Sequence, residues 1–282
     1  MANGAHWQGV EVCLKLMRVE NRDSWERERD AYLITLEPDL RYPALNHAAQ
    51  FLLKFYGSFE YQGQLVLVLD LAKENLIEYV NRRRWSKIPR KEIRELIRGI
   101  CSGLKWLHSK GVAHRDIKPD NILLSESGAV LVADLGVACQ VNKRLELKGY
   151  VGTRPYMAPE ISRDKACRYR MSADMYSLGV LIHTLVCLKT PKSDNTNMPI
   201  NAIKGWGEAK ELVDNLLQED PKQRWTMKVV LNHSFFTDDA RNINAKGDSL
   251  GSSPVQVSEG GSVPAAENKT SVASSAGKAT AP

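Results

Sequence analysis

The sequence predicts an α+β chain in which a small, mainly β part is followed by a larger, mainly α part. Strand-like apolar runs fall within the first 70 residues. The clearest amphipathic helix pattern begins at Lys91, and helical patterning returns after Ser172. The 282 residues, of which 43% are hydrophobic, are enough to bury the core of one large or two small domains.

Composition and charge restrict the class of protein. The net charge is +6, but Lys and Arg are scattered apart from a run at residues 81–84. We therefore expect a solvated surface with phosphate-binding groups and no nucleic-acid partner. The five cysteines form no C-x-x-C pair, which indicates a reducing compartment and predicts a cytoplasmic protein. No run of about 18 apolar residues and no secretory signal occurs, so no membrane span is expected.

The first predicted elements surround a lysine. Residues 10–17 are strand-like and place Lys15 at the end of a mostly apolar strand. A helix is predicted next, with Ser24 as its N-cap. Glu26 and Glu28 are two positions apart and so lie on different faces of that helix.

A connection and two strands follow. Residues 36–49 form a polar connection that contains two prolines, and residues 51–59 and 64–71 are predicted strands. The second strand is continuously apolar over residues 65–69, as expected for a buried strand.

A helix that is predicted from Lys91 and ended by Gly111 leads into residues 114–121, which read H-R-D-I-K-P-D-N. An Asp can accept a proton, a Lys can hold a phosphate, and an Asn oxygen suits a hard cation such as Mg²⁺. A second acid, Asp134, follows another apolar run 18 residues after Asp116. Two short strands that deliver these groups to one edge predict a metal–phosphate site.

This stretch resembles the catalytic loop of eukaryotic protein kinases, H-R-D-x-K-x-x-N. Residues 134–136 resemble their D-F-G, with Leu135 in place of Phe, and residues 158–160 resemble their A-P-E. The resemblance covers about residues 10–238 and implies a bilobal protein-kinase fold with a truncated, β-rich small lobe. The implied bounds are the small lobe at 1–70, the hinge at 70–73 and the mainly α large lobe at 74–238.

The resemblance implies a role for each polar residue of the loop. Asp116 would orient and deprotonate the substrate hydroxyl, and Lys118 would steady the γ-phosphate of ATP. Asn121 and Asp134 would hold Mg²⁺. Function would then be the transfer of the ATP γ-phosphate to a hydroxyl of a protein.

The resemblance also implies the nucleotide contacts, which are Lys15, Glu28, Leu69, Asp70, Ala72 and Leu123. Lys15, positioned by Glu28, would hold the α- and β-phosphates. Leu69 would gate the adenine pocket, and the backbone of Asp70 and Ala72 would meet the adenine edge.

Two features point to a subclass. Lys118 together with Thr153 matches the pattern of Ser/Thr kinases. Ser24 and Trp25, followed by Glu28, resemble the activin and transforming growth factor-β receptor kinases, which favours Glu28 over Glu26 as the partner of Lys15. That local likeness leaves open that the chain is the intracellular portion of a larger protein.

Other family positions imply structural roles. Asp174 would hold the backbone of the catalytic loop, and Arg224 would pair with Glu160 in a buried salt bridge. Residues 137–151 contain no Ser or Thr, and Tyr150 is their one hydroxyl group. We therefore expect no activation by Ser/Thr phosphorylation within that segment.

One departure concerns the loop that covers the ATP phosphates. Protein kinases carry G-x-G-x-x-G-x-V one hairpin before the lysine strand. The only glycines within residues 1–14 are Gly4 and Gly9, which do not fit this pattern. Residues 7–11 resemble the turn just before that strand. We expect a small lobe without the first strand and the glycine-rich loop, and hence weaker nucleotide binding.

The sequence thus predicts a protein serine/threonine kinase that uses ATP and Mg²⁺ on a protein substrate. Two alternatives remain open because of the missing loop: a pseudokinase that serves as a binding scaffold, and an N-terminally truncated fragment with little activity. Residues 239–282 lack aromatic residues and are rich in Gly, Ser, Ala and Pro, which predicts a disordered tail.

Overall fold

The chain folds into a β-rich N-terminal lobe and a helical C-terminal lobe, as a computed structural model shows. The structure describes residues 4–40, 42–84, 88–164, 166, 168–187 and 200–237. The predicted α+β class is confirmed. The tail predicted to be disordered, residues 239–282, lies outside the described residues.

The N-terminal lobe is built on one antiparallel sheet. Its strands, in the spatial order β1-β2-β4-β3, are β1 (Gly4–Trp7), β2 (Val10–Arg18), β4 (Gln64–Asp70) and β3 (Phe55–Tyr61). The buried apolar run at 65–69 therefore belongs to an interior strand, since β4 is paired on both sides. Lys15 lies opposite Leu67 in the register of β2 and β4.

The turn predicted just before the lysine strand is present. Gln8 and Gly9 connect β1 to β2 with φ angles of +50° and +82°. Two consecutive positive φ angles are typical of a type I′ hairpin turn, which explains a glycine at this position. Gly9 is therefore a turn residue.

The helix of the N-terminal lobe starts earlier than predicted. Helix α1 spans Arg22–Leu36 and follows a 3₁₀ turn at Val19–Asn21, so Ser24 is not its N-cap but lies within the first turn. The chain is already helical before Ser24, and no side chain caps the helix. The predicted strand start at residue 51 is also wrong, because Pro43–Phe51 form a 3₁₀ helix and β3 begins at Phe55.

The C-terminal lobe is mainly helical. Its helices are α2 (Leu76–Arg83), α3 (Arg90–Ser109), α4 (Pro159–Arg163), α5 (Ser172–Cys187), α6 (Gly207–Leu216) and α7 (Met227–Leu231). Its short strands are β5 (Glu74–Asn75), β6 (Val112–Ala113), β7 (Ile122–Leu124), β8 (Val130–Val132) and β9 (Cys139–Gln140). Among the residues that the structure describes, none of the helices has the length and apolar character needed to cross a membrane.

Helix α3 packs closely against β8, the strand that leads to Asp134. A Cβ atom added to Gly103 would lie 2.7 Å from Val132 Cγ2 and 2.8 Å from the Phe51 carbonyl oxygen. A Cβ added to Gly99 would lie 2.8 Å from Val130 Cβ. The two glycines therefore set the distance between the main helix of the lobe and the strand that positions the site.

We expect Gly103→Ala to lower the free energy of unfolding by about 1–3 kcal/mol, because the added methyl group overpacks this contact. This destabilisation is expected although the higher helix propensity of Ala, about 1 kcal/mol over Gly, works in the opposite direction. Urea unfolding measures the difference. Gly207→Ala, at the first residue of α6 where an added Cβ would meet nothing within 4 Å, is the matched control. Equal stability of the two variants would contradict the prediction.

Candidate active site

A cleft of about 590 Å³ lies between residues of β2, α1 and β4 and residues next to β7 and β8. Of the residues assigned from the sequence, the following line it: Lys15, Glu28, Leu69, Asn121, Leu123 and Asp134. Cys13, Leu14 and Leu53 line it as well and were not assigned to the site. For Cys13 a signal was available, because alternate residues of a strand share a face and Lys15 is two positions away.

Two carboxylates hold Lys15. Its Nζ atom lies 2.8 Å from both carboxylate oxygens of Glu28 and 2.9 Å from Asp134 Oδ1. Glu28 is fully buried, so the pairing preferred from the sequence over Glu26 is the one present. The contact connects β2, α1 and the D-L-G segment through one ammonium group.

Burial and neighbouring charges shift the pKa values of Lys15, Glu28 and Asp134. Burial opposes the charged form of Lys15, but Glu28 and Asp134 raise its pKa above the ordinary value. Burial also opposes the charged form of Asp134, yet Lys15 lowers the pKa of this carboxyl below its usual range. For Glu28 the desolvation is the larger effect and raises its pKa. Lys15 is therefore a cation at the cleft, suited to a phosphate oxygen.

Two predicted adenine contacts are not among the residues that line the cleft. The Asp70 N–H donates to the Lys54 carbonyl at 2.8 Å, and the Asp70 carboxylate accepts the Tyr56 hydroxyl at 3.3 Å. Ala72 is half-buried between β4 and β5. Their contact with a nucleotide stays a prediction, and for Asp70 it rests on the carbonyl oxygen.

Asp116 accepts three donors. Its Oδ1 accepts the Thr153 hydroxyl at 2.7 Å, and its Oδ2 lies 2.8 Å from Lys118 Nζ and 3.0 Å from Asn121 Nδ2. Lys118 Nζ also donates to the Thr153 hydroxyl at 2.8 Å. The structure therefore brings together the acid, the lysine and the threonine of the predicted pattern. A carboxylate that accepts a hydroxyl at this distance has the geometry required of a general base.

The donor set next to Asp116 fits a magnesium ion. Asn121 donates through Nδ2 to the backbone oxygen of Asp116 at 2.8 Å, which leaves its amide oxygen as the atom that suits a cation. Asn121 and Asp134 line the same cleft, and Asp134 accepts Lys15 Nζ and the Gly136 N–H through Oδ1. In the described part of the chain, no group of three or more His, Cys, Asp or Glu side chains could hold a metal ion alone. Two oxygen ligands beside a lysine cation are typical of Mg²⁺ bound with a nucleotide.

Two buried groups hold the backbone of the catalytic loop. Asp174, on α5, accepts the His114 and Arg115 N–H groups at 2.8 Å each, as predicted. His108 Nε2 lies 2.8 Å from the same carboxylate. His114 accepts the Asp116 N–H at Nδ1 and lies 2.9 Å from the Ala133 carbonyl through Nε2. His114 therefore links the loop that carries Asp116 to the residue before Asp134.

The backbone at the site is strained. Arg115 and Asp134 have φ angles of +69° and +60°, a region that residues other than glycine rarely adopt. Gly152 packs against the loop, because an added Cβ would lie 2.6 Å from the Arg115 carbonyl oxygen. Such strain persists only where the surrounding contacts fix it, and it clusters at functional sites.

The predicted buried salt bridge is present. Arg224 Nη1 and Nη2 each lie 2.7 Å from a carboxylate oxygen of Glu160. The Arg224 side chain is fully buried and also donates to the carbonyls of Gln218 and Ser172. Leu135, in place of the family's Phe, is fully buried as expected.

Residues 4–236 match the family described as Protein kinase domain. The probable serine/threonine-protein kinase fhkC of Dictyostelium discoideum is 33% identical over 198 residues, which cover 64% of this chain and 33% of that protein. Serine/threonine-protein kinase PLK4 of Xenopus laevis is 26% identical over 270 residues, which cover 89% of this chain and 27% of that protein. Human NUAK family SNF1-like kinase 1 is 29% identical over 237 residues, which cover 80% of this chain and 34% of that protein.

The chain thus spans between 27% and 34% of the length of these relatives. The likeness of Ser24 and Trp25 to activin and transforming growth factor-β receptor kinases stays a prediction. The family match covers most of the chain, and the lysine–glutamate pair, the catalytic loop and its aspartate anchor are in contact as the family pattern predicts. The chain therefore belongs to the protein kinase family.

Proposed function

We propose that this chain transfers the γ-phosphate of ATP to Ser or Thr hydroxyls of a protein substrate. The observation that carries the proposal is the cluster at Asp116, where the carboxylate accepts the Thr153 hydroxyl at 2.7 Å and lies 2.8 Å from Lys118 Nζ. Lys118 with Thr153 is the Ser/Thr pattern of the family. Two of the relatives named above are called serine/threonine-protein kinases, which supports the same substrate class.

The site residues suit an in-line transfer. A substrate hydroxyl bound to Asp116 in the manner of Thr153 gives its proton to the carboxylate as its oxygen bonds to the γ-phosphorus. The bond from that phosphorus to the oxygen it shares with the β-phosphorus breaks, so that ADP leaves and a phosphoester is formed. Lys118 offsets the negative charge of the transferred group.

The nucleotide would occupy the cleft. Lys15, which Glu28 and Asp134 hold in place, would bind phosphate oxygens. Asn121 and Asp134 would hold Mg²⁺, which neutralises charge on the β- and γ-phosphates. Leu69 and Leu123 line the cleft and would contact the apolar faces of the adenine ring.

A second candidate function is nucleotide binding without efficient transfer. The observation that favours it is the turn of Gln8 and Gly9 that leads into the lysine strand, because this two-residue turn carries no G-x-G-x-x-G. In this reading the cleft and Lys15 hold the nucleotide, but fewer backbone N–H groups orient its γ-phosphate. The two candidates share the nucleotide site and differ in turnover.

The charge and the cysteines support a nucleotide ligand and a cytoplasmic location. The net charge of +6 suits a phosphorylated nucleotide, and the cysteines that the structure describes, Cys13, Cys101, Cys139 and Cys187, form no disulfide with one another. Cysteines that form no disulfides are typical of proteins in a reducing compartment.

Nucleotide binding can be followed at Cys13. This thiol lines the cleft and is half-buried, so bound ADP should slow its alkylation. We expect Lys15→Met to raise the ADP concentration that gives half-maximal protection by about tenfold or more, because a charge-assisted hydrogen bond contributes about 1.5–3 kcal/mol. Mass spectrometry of the peptide that contains Cys13 measures the protection.

The concentration at half protection is the readout because removing Lys15 also changes the intrinsic reactivity of Cys13, whose pKa is raised by burial and lowered by Lys15. Lys54→Met is the matched control, since Lys54 is exposed and lies over the Tyr56 ring. An unchanged midpoint in Lys15→Met would show that Lys15 does not bind the nucleotide.

The experiment that separates the two candidates measures transfer from Mg²⁺·ATP to a basic protein, followed by identification of the phosphorylated residue type. Phosphoserine or phosphothreonine supports the kinase proposal. Protection of Cys13 by ADP without any transfer supports the second candidate. Transfer to tyrosine alone would overturn the assignment to Ser and Thr.

A further inference from the structure

The segment between the D-L-G residues and Gly152, here called the activation segment (residues 137–151), is well connected to the C-terminal lobe. Strand β9 pairs with β6, and Val141 N–H donates to the Gly111 carbonyl at 2.9 Å. The Asn142 side chain accepts the N–H groups of Arg144 and Glu146 at 2.9 and 2.8 Å. The first half of the segment is thus fixed by main-chain and turn contacts.

The second half is fixed by Tyr169, which precedes α5. The main chains of Leu147 and Tyr169 exchange two hydrogen bonds of 2.8 and 3.2 Å, and both side chains are buried. Arg168 pairs with Glu146 at 3.0 Å next to this bridge. The Tyr169 hydroxyl donates to the Gly149 carbonyl at 3.2 Å.

Arg115 completes the arrangement. Its Nε donates to the Val137 carbonyl at 2.6 Å, and its Nη1 donates to the Lys148 carbonyl at 2.9 Å and to the Tyr169 hydroxyl at 3.3 Å. The guanidinium therefore binds both ends of the activation segment directly. Tyr169 connects Arg115 to Gly149, because its hydroxyl accepts from the first and donates to the second.

Burial raises the pKa of Tyr169 above its ordinary value, although Arg115 opposes this effect. The hydroxyl therefore keeps the proton that it donates to Gly149. Residues 137–151 contain no Ser or Thr that could supply a phosphate to Arg115. Backbone carbonyls and a tyrosine hydroxyl bind the guanidinium at Nε and Nη1, which are donors that could otherwise bind a phosphate.

We infer that Arg115 and Tyr169 hold the activation segment in its substrate-receiving form without a phosphate, and that Tyr169 is a positioning residue for the transfer. This inference rests on the proposed function for its effect on activity. The segment leads directly into Thr153, which contacts Asp116. Loosening it should therefore weaken binding of the protein substrate while the nucleotide site is unaffected.

The first test uses the full chain after treatment with a broad protein phosphatase, with intact mass confirming that no phosphate remains. The rate of transfer should stay within about twofold of that of the untreated protein, because no phosphate is part of the arrangement. A tenfold loss of rate on dephosphorylation, restored by phosphorylation within residues 137–151, would overturn the inference.

The second test is Tyr169→Phe. Loss of the hydroxyl should raise the KM for the protein substrate roughly three- to tenfold, with little change in kcat, because it removes a neutral hydrogen bond to Gly149 and a long one, of 3.3 Å, from the Arg115 guanidinium. Hydrogen exchange of residues 145–150 should become faster by a similar factor, and protection of Cys13 by ADP should not change. Tyr176→Phe is the control, because Tyr176 is equally buried but lies against Arg224.

Hydrogen exchange keeps the inference testable if the proposed function fails. A phosphate-free chain that transfers nothing should still show slow exchange at residues 145–150, and Tyr169→Phe should still accelerate it. Equal exchange in Tyr169→Phe and the wild type, or fast exchange in the phosphate-free wild type, would show that Tyr169 and Arg115 do not hold the segment.

Discussion

Asp116→Asn is expected to lower the rate of phosphoryl transfer by about 10²- to 10⁴-fold, the usual contribution of a positioned general base. The carboxylate accepts the Thr153 hydroxyl at Oδ1 and lies next to Lys118 and Asn121 at Oδ2. An asparagine retains one acceptor oxygen, and its NH₂ group would face either the Thr153 hydroxyl or the two donors Lys118 and Asn121. It cannot accept the substrate proton, so the chemical step should fail although the nucleotide still binds.

The transfer assay with Mg²⁺·ATP measures this loss, and protection of Cys13 by ADP provides the second readout. ADP protection should stay within about twofold of wild type, since Asp116 is not among the residues that line the cleft. Asp214→Asn, on the exposed side of α6, is the matched control and should keep full activity. More than a tenth of the wild-type rate in Asp116→Asn would rule out Asp116 as the general base.

The catalytic loop could be predicted from the sequence because its geometry is local. Asp116, Lys118 and Asn121 lie within six positions, and one short 3₁₀ turn at Pro119–Asn121 brings the amide back to the carboxylate. The spacing therefore predicted that these groups share a metal–phosphate site, whereas the role of each residue was implied by the resemblance to protein kinases.

The pairing of Lys15 with Glu28 needed more than spacing. Glu26 and Glu28 were both candidates, and the predicted helix start at Ser24 was wrong. The face that α1 turns towards β2 decides the outcome, and this face is set by burial of the neighbouring residues Trp25 and Tyr32 in the core. The resemblance to related kinases predicted Glu28 correctly, whereas the periodicity of the helix did not distinguish Glu28 from Glu26.

The contacts of Arg115 could not be predicted at all. Its left-handed backbone and its distance of 54 positions from Tyr169 along the chain give no local signal. A tyrosine before a helix is ordinarily a core residue, and only the fold shows that its hydroxyl reaches the guanidinium. The same holds for the Asp70 N–H, which already donates to the carbonyl of Lys54, the residue before β3.

The second large effect is expected at Asp174. Its carboxylate is almost fully buried and accepts two backbone N–H groups and His108. Asp174→Asn should lower the free energy of unfolding by about 3 kcal/mol at pH 7, because an amide leaves a buried N–H unsatisfied and removes charge-assisted hydrogen bonds. Transfer should fall as well, since the backbone that carries Asp116 loses its anchor.

The effect of Asp174→Asn should depend on pH with a definite sign. Burial alone would raise the pKa of Asp174, but His108, His114 and the Arg115 N–H lower it below the ordinary value. A carboxyl whose pKa is lower in the folded state stabilises the fold above its unfolded pKa of about 3.9, and this stabilisation is lost as the pH falls through the folded pKa. The difference in unfolding free energy between wild type and Asp174→Asn should thus be constant above about pH 5 and shrink below about pH 4. Urea unfolding across this range measures it, with Asp214→Asn as the exposed control, and a difference independent of pH would show that the charge of Asp174 does not stabilise the loop.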